Sequence, residues 1–401
     1  MKPFKVSRRT STIEYAIRDI IGFAKNLEKQ GKDVLYLNIG DPVKYDFDTP
    51  NFIKKALCEA VNSGANWYAT SEGERDLREA ICEKEKKVNN VDITSEDVVV
   101  TAGVSEAIQM IMAAIVEDGD EVMMPGPTYP PYMSYTLFYE GKPVFYHTIE
   151  AEGWRPDIDD IREKISKKTR ALVIINPNNP AGALYDEKIV KEILNIAAER
   201  GLLVLSDEIY DRIVYEKKFV STSYMAKDMP VVGLNGFSKA YLMTGWRLGY
   251  LYFHDPTGQL KELKECVQKE TRIRLSSTTP VQKAGITALR GPQDHIKEMV
   301  NQLRQRRDYT LKRLREINGI SCTKPEGAFY VFPRIEKIGS RWKNDMEFVL
   351  DLLNNAGVLC VPGSGFGEAY GSGHVRAVFC ADMSTLEKSM DNLEEFMKNK
   401  Q

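Results

Sequence analysis

The residue with the most chemistry to offer is a lysine that directly follows an apolar run. Lys239 closes Gly236-Phe237-Ser238-Lys239, behind the strand-like stretch 231–235. Lysines are ordinarily solvated surface groups. One held against apolar surroundings loses basicity and becomes a nucleophile towards an aldehyde. Arg247 follows in Thr244-Gly245-Trp246-Arg247 and brings a guanidinium back towards the same edge. The Ser238 hydroxyl, Arg247 and the backbone amides near Val104 and Ser105 suit a phosphate. Other apolar runs are followed by equally specific groups: the small-residue turn Thr101–Ser105 with Gly103, the aromatic Tyr129, the amide Asn179, and the carboxylate Asp207 with the phenol Tyr210. Together these match the parts of one aromatic phosphate cofactor. Singly, each has an ordinary structural explanation. Asp207 could cap a helix, Asn179 could form an Asx turn before Pro180, and Tyr129 could be core packing.

These residues need a scaffold that gathers strand ends. Strands are expected at 97–101, 121–124, 143–149, 171–175, 202–206, 231–235 and 248–253, with helices at 105–116, 186–200 and 157–165 between them. That alternation predicts an α/β core: a seven-stranded, mainly parallel sheet between helices. Near-continuous apolar strands such as 171–175 imply burial on both faces. In such sheets ligands bind beyond the carboxyl ends of the strands. Helices are also expected at 13–31, 294–317, 345–356 and 384–399, with strand-like pieces at 328–333 and 375–379. The domain expectation is therefore 49–290 for a large cofactor-binding domain. A small α+β domain is then assembled from both termini, 1–48 and 291–401.

The chain has 401 residues, 28% charged, and a net charge of −2. This gives no electrostatic reason to expect nucleic acid or an anionic membrane as partner. No run of about 18 apolar residues could span a bilayer, and the N-terminus lacks a signal-peptide core. Six cysteines are scattered without a Cys-x-x-Cys pair, and four histidines are equally dispersed. They read as reduced thiols of a cytoplasmic protein with no metal site. Gly363–Gly367 fails the dinucleotide spacing, because Glu368 takes the place of the last glycine. It is expected to be a mobile loop near the substrate.

Read together, the motifs resemble those of the class I/II, fold-type I aminotransferases that use pyridoxal 5′-phosphate (PLP). SKAYLMTGWRLGY at 238–250, NPNNPAG at 176–182 and SDEIY at 206–210 carry the resemblance, which runs from about Ile39 to Arg376. Within that family the sequence looks most similar to archaeal and bacterial alanine aminotransferases. The resemblance implies a ping-pong reaction through an aldimine at Lys239, with Lys239 then shuttling the Cα proton. It pairs Asp207 with the pyridine nitrogen, Asn179 and Tyr210 with the phenolic oxygen, and stacks Tyr129 on the ring. Arg376 takes the role of the α-carboxylate fork, and Gly40 allows close backbone approach. Tyr68 resembles the tyrosine that reaches a partner's phosphate, which implies a homodimer with shared sites. The threonine of the family's usual NPTG is Ala181 here, a change in a turn and not in a catalytic group.

The preferred substrates are L-alanine and 2-oxoglutarate, giving pyruvate and L-glutamate. Such a pocket must accept both a methyl group and a distal carboxylate, and Arg274 is the candidate for the latter, with Tyr15 on the substrate side. Aromatic, branched-chain or aspartate transamination, or a C–S lyase, remain alternatives on the same fold. A PLP-sensing regulator would need a DNA-binding module, and nothing before Tyr15 reads as one.

Overall fold

The computed structural model describes residues 4–11, 13 and 16–400. Its centre is an eight-stranded sheet built from β1 (Val98–Thr101), β2 (Glu121–Gly126), β3 (Lys142–Ile149), β4 (Arg155–Pro156), β5 (Thr169–Ile175), β6 (Leu203–Asp207), β7 (Val231–Gly236) and β8 (Gly249–His254). The spatial order is β1-β8-β7-β6-β5-β2-β3-β4. Neighbours from β7 across to β3 are parallel; β8 runs against both β7 and β1, and β4 against β3. All seven expected strands are present. The eighth, β4, is a two-residue edge strand hydrogen-bonded to β3, too short to leave a period in the sequence.

Burial explains the composition of the sheet. Residues 171–175 and 231–236 are buried throughout, as expected of strands covered on both faces. The helix Glu187–Arg200 supplies one cover through Ile189, Val190, Ile193, Leu194, Ile196 and Ala197, and ends at Gly201 in the left-handed conformation. The helix Val104–Ile115 packs Ala107, Ile108, Ile111 and Met112 inward.

The N-terminal and C-terminal parts of the chain meet. Leu35–Tyr36 pairs in parallel with Val358–Leu359, and Val375–Val378 lies antiparallel between Tyr330–Val331 and Val361–Pro362. The charged helix expected at 294–317 spans Asp294–Glu316. It turns two arginines inward: Arg306 lies over the Phe47 ring and Arg307 over Tyr215, with Arg307 also bound to Glu216. The single helix expected at 13–31 is instead Ala16–Asp19 and Ile21–Glu28, divided at Ile20. Gly363–Phe366 is a correction. It is a short 3-10 turn with Phe366 fully buried, not a loose loop. A side chain at Gly363 would collide with the Gly371 carbonyl at 2.2 Å. No helix of the described residues is long and apolar enough to cross a membrane, and all six cysteines are free.

Candidate active site

Because β1, β2, β5, β6 and β7 point the same way, their carboxyl ends share one rim. The reversed β8 begins at that rim, which is why Arg247 just before it arrives there. The rim opens into a cleft of about 470 Å³. Gly40, Val104, Ser105, Tyr129, Asn179, Asp207, Tyr210, Ser238, Lys239, Arg247 and Arg376 all line it.

One end of the cleft is built from backbone. Gly103 precedes the helix Val104–Ile115 with φ +79°, and no side chain caps the first turn. The free N–H groups and the dipole make this an anion site. Arg247 donates to the Ala102 carbonyl at 3.1 Å and lies so close to Gly103 that a Cβ there would meet Nη2 at 2.4 Å. Gly249 is pressed against the same turn, its hypothetical Cβ 2.7 Å from the Gly103 Cα. Only glycine fits either position.

In the middle, Asp207 is buried at the end of β6. It accepts hydrogen bonds from the Ile209 amide at 3.2 Å and the Tyr132 hydroxyl at 3.0 Å. Burial pushes its carboxyl up to about 6, against the pull of those two bonds and of Lys239. Tyr132 is fully buried. It does not face the substrate; it orients Asp207, a role the sequence does not signal because Tyr-to-Asp pairing here spans 75 positions. Lys239 is half-buried, donates to the Gly40 carbonyl at 2.7 Å, and lies 5.8 Å from the Tyr210 ring centre. Burial brings its amine down to about 8.

The far wall holds Arg376, fully buried. Its Nη1 donates to Asn179 Oδ1 at 3.0 Å and its Nη2 to the Asn38 carbonyl at 2.6 Å, while Nε has no partner. The guanidinium is sandwiched between the Tyr330 and Phe366 rings, at 4.6 and 4.8 Å. Tyr330 also shares a 2.7 Å hydrogen bond with Tyr210. The Tyr330 hydroxyl occupies the space a Cβ on Gly40 would need, at 2.2 Å.

Tyr68 and Arg274 are not on this wall. Tyr68 is 82% exposed and away from the cleft. Tyr15 lies outside the described residues. Arg274 is a correction: its guanidinium is held by Glu106 at 2.5 Å, the Ser71 carbonyl at 2.7 Å and the Val100 carbonyl at 3.2 Å, and it does not reach the cleft. Arg18 does reach it, on the one-turn helix Ala16–Asp19, with no hydrogen-bond or ion-pair partner among the described residues. Ile17 and Ile39 line the cleft as well. Among the described residues no group of His, Cys, Asp and Glu could hold a metal ion.

Residues 32–393 match the family described as aminotransferase class I and II. The chain belongs to that family. It is an aminotransferase, and the family implies PLP as its cofactor. Its fold superposes on an alanine aminotransferase from Pyrococcus furiosus with TM-score 0.96 and 56% identity, covering 98% of this chain and 100% of that one. The glutamate-pyruvate aminotransferase AlaA of Escherichia coli K12 is 35% identical over 99% of this chain and 98% of its own length. An aspartate aminotransferase of Thermus thermophilus aligns at TM-score 0.89 with 33% identity, covering 98% of this chain and 100% of that one. Fold and family are thus shared by enzymes with different substrates.

Proposed function

We propose that this aminotransferase moves the amino group between L-alanine and 2-oxoglutarate, yielding pyruvate and L-glutamate, in two half-reactions through PLP at Lys239. The observation that carries the transamination is a desolvated Lys239 sharing one cleft with a buried arginine fork at Arg376. The uncapped helix start, the unpartnered Arg376 Nε and the buried Asp207 carboxyl, raised to about 6 by burial, all fit the bound cofactor and substrate. When bound, PLP supplies an aldehyde for the amino group and a protonated ring that accepts the electron pair left on Cα. The Val104 and Ser105 amides, Ser238 and Arg247 hold its phosphate. Asp207 holds the proton on the ring nitrogen, oriented by Tyr132. Tyr210 and the Asn179 amide donate to the phenolic oxygen, and Tyr129 covers the ring. Arg376 grips the substrate's α-carboxylate, which points Cα at Lys239. Lys239 Nζ would then take the Cα proton and deliver it, on the same face, to the carbon that the cofactor's aldehyde contributes.

The substrate pair follows from the mouth of the cleft. Ile17 and Ile39 suit a methyl group, and Arg18, with no ion-pair partner among the described residues, suits a distal carboxylate, replacing Arg274 in that role. Similarity to the Pyrococcus and Escherichia enzymes points the same way. Tyr68 is assigned to the partner's phosphate in a homodimer, and residues 49–290 to the cofactor domain, with 1–48 and 291–401 forming the small one.

The test is the visible spectrum of the purified holoenzyme. L-alanine should bleach the yellow band, and either pyruvate or 2-oxoglutarate should restore it. Arg18→Ala should raise the KM for 2-oxoglutarate by about tenfold or more, equivalent to about 1.4 kcal/mol, and leave that for pyruvate within twofold. A band unmoved by alanine would overturn the substrate; an unchanged KM for 2-oxoglutarate would overturn Arg18.

A further inference from the structure

Behind the cleft, and outside its lining, lies a buried ionic cluster that the reaction as described does not use. Lys84, at the end of the helix Arg75–Lys84, donates to Asp211 Oδ2 at 2.5 Å and to Glu85 Oε1 at 2.9 Å. The side chains are 5%, 2% and 0% exposed. Asp211 Oδ2 also receives Asn89 and Asn235, each at 3.0 Å. Glu85 receives Asn89 at 2.6 Å and the Tyr250 hydroxyl at 2.5 Å. A π-turn at Glu85–Asn89 brings Glu85 and Asn89 round to the same side as Lys84.

This cluster joins the segments that carry the cofactor ligands. Asp211 belongs to the turn after β6, its amide bonded to the Glu208 carbonyl at 2.9 Å, so it is continuous with Asp207 and Tyr210. Asn235 lies on β7, four positions before Lys239, and its Oδ1 receives the Gly236 amide at 2.7 Å. Tyr250 is the residue facing Asn235 on β8, just beyond Arg247. Three elements that meet the cofactor are therefore tied at their backs to one carboxylate pair and one ammonium.

Two carboxylates and one ammonium leave a net negative charge out of water. Apolar side chains of similar volume would often hold such elements together at least as well. What ions with fixed partners add is register: Asp211 can satisfy Lys84, Asn89 and Asn235 together in only one placement of the turn. Arg212, Tyr241, Tyr250, Tyr252, Cys82 and Glu208 are further ionisable groups that interact with the cluster's charges.

We propose that Lys84, Asp211 and Glu85, with Asn235, form a positioning clamp that fixes Tyr210 and Asp207 relative to Lys239. The proposal rests on the reading that Tyr210 and Lys239 meet bound PLP. In that reading Tyr210 donates to the phenolic oxygen, which gains negative charge when the proton shared with Lys239 Nζ leaves. A displaced Tyr210 would make that proton harder to lose.

The experiment uses the holoenzyme of Asn235→Ala, which cuts the link from Asp211 to β7 together with the bond from the Gly236 amide, and of the double variant Lys84→Met/Asp211→Asn, which removes the ion pair without changing the cluster's net charge. The pH midpoint of the visible absorbance change should rise by about one unit, a tenfold shift in the equilibrium. At pH 7 kcat should fall about tenfold, with KM for L-alanine within twofold. If either variant folds and keeps the wild-type midpoint and kcat, the cluster serves only stability and the proposal is overturned. A wild-type protein that shows no visible band with PLP would instead defeat the cofactor reading. The clamp would then be read in the ligand-free protein by amide hydrogen exchange. Asn235→Ala should speed exchange at 207–213 and 236–241 about tenfold more than in the helix Glu187–Arg200; uniform exchange would overturn it.

Discussion

In the ligand-free chain burial moves Lys239 and Asp207 in opposite directions. The amine falls to about 8 and the carboxyl rises to about 6. At pH 7 about a tenth of Lys239 is then the neutral nucleophile, against well under a thousandth for an unperturbed lysine. The rate at which PLP restores the visible band of apoprotein should therefore climb about tenfold per pH unit below 8 and level off above it; a plateau delayed to pH 10 would contradict the burial. For Asp207 the folded value lies above the unfolded one. The stability it contributes is therefore present below about pH 4 and is lost as pH rises through 6. Asp207→Asn removes that loss, so the ligand-free variant at pH 7 should melt no lower than wild type. Its transamination should nevertheless fall by about 10²–10³-fold, since nothing then holds the ring proton. A variant that loses thermal stability and activity together would argue for a purely structural Asp207.

At the level of elements, the sequence was most informative where one periodicity filled a whole segment. The seven longer strands and the helices Glu187–Arg200, Asp294–Glu316 and Met383–Lys398 are such segments, and the structure has them. It was least informative where tertiary contacts decide. Nothing in Arg155–Pro156 announces an edge strand, and the glycines at 363–367 suggest mobility when they in fact allow close packing. Within the site, Lys239, Asp207 and Arg247 were legible because each follows or precedes a strand. Tyr132, Arg18 and the Lys84–Asp211 pair were not, because their roles rest on partners distant in the chain. The phosphate end gives an element-scale prediction. Gly249→Ala places a methyl group against the Gly103 backbone, which cannot yield as a side chain would. It should push the helix start away and weaken PLP binding about tenfold or more by equilibrium dialysis. Gly22→Ala meets nothing within 4 Å on an exposed helix face and should be neutral or stabilising by up to about 1 kcal/mol in thermal melts. Equal effects from the two would dissociate Gly249 from the phosphate site.

For the whole molecule the question is whether one chain makes a complete site. Tyr68 and Trp67 are exposed at 82% and 54%, and Ile273 and Leu275 at 86% and 57%. The two segments are stitched side by side, Arg274 to the Ser71 carbonyl and Thr279 to the Trp67 carbonyl. Large apolar groups gathered in this way are the kind of patch that an association surface uses. They also give Arg274 a physical role, since it anchors the segment that presents Tyr68. If that surface pairs with its own copy about a two-fold axis, each cleft receives Tyr68 from the other protomer. Two defective variants can test this, Lys239→Ala and Tyr68→Ala, mixed in equal amounts and reassembled. In a shared-site dimer half the dimers are hybrids, each with one cleft that has both its own Lys239 and a partner's tyrosine. Activity should then recover to about a quarter of wild type, while each parent alone stays near its own low level. If tyrosine and lysine instead served the same chain, every hybrid cleft would lack one of them. The mixture would then show only the average of its parents.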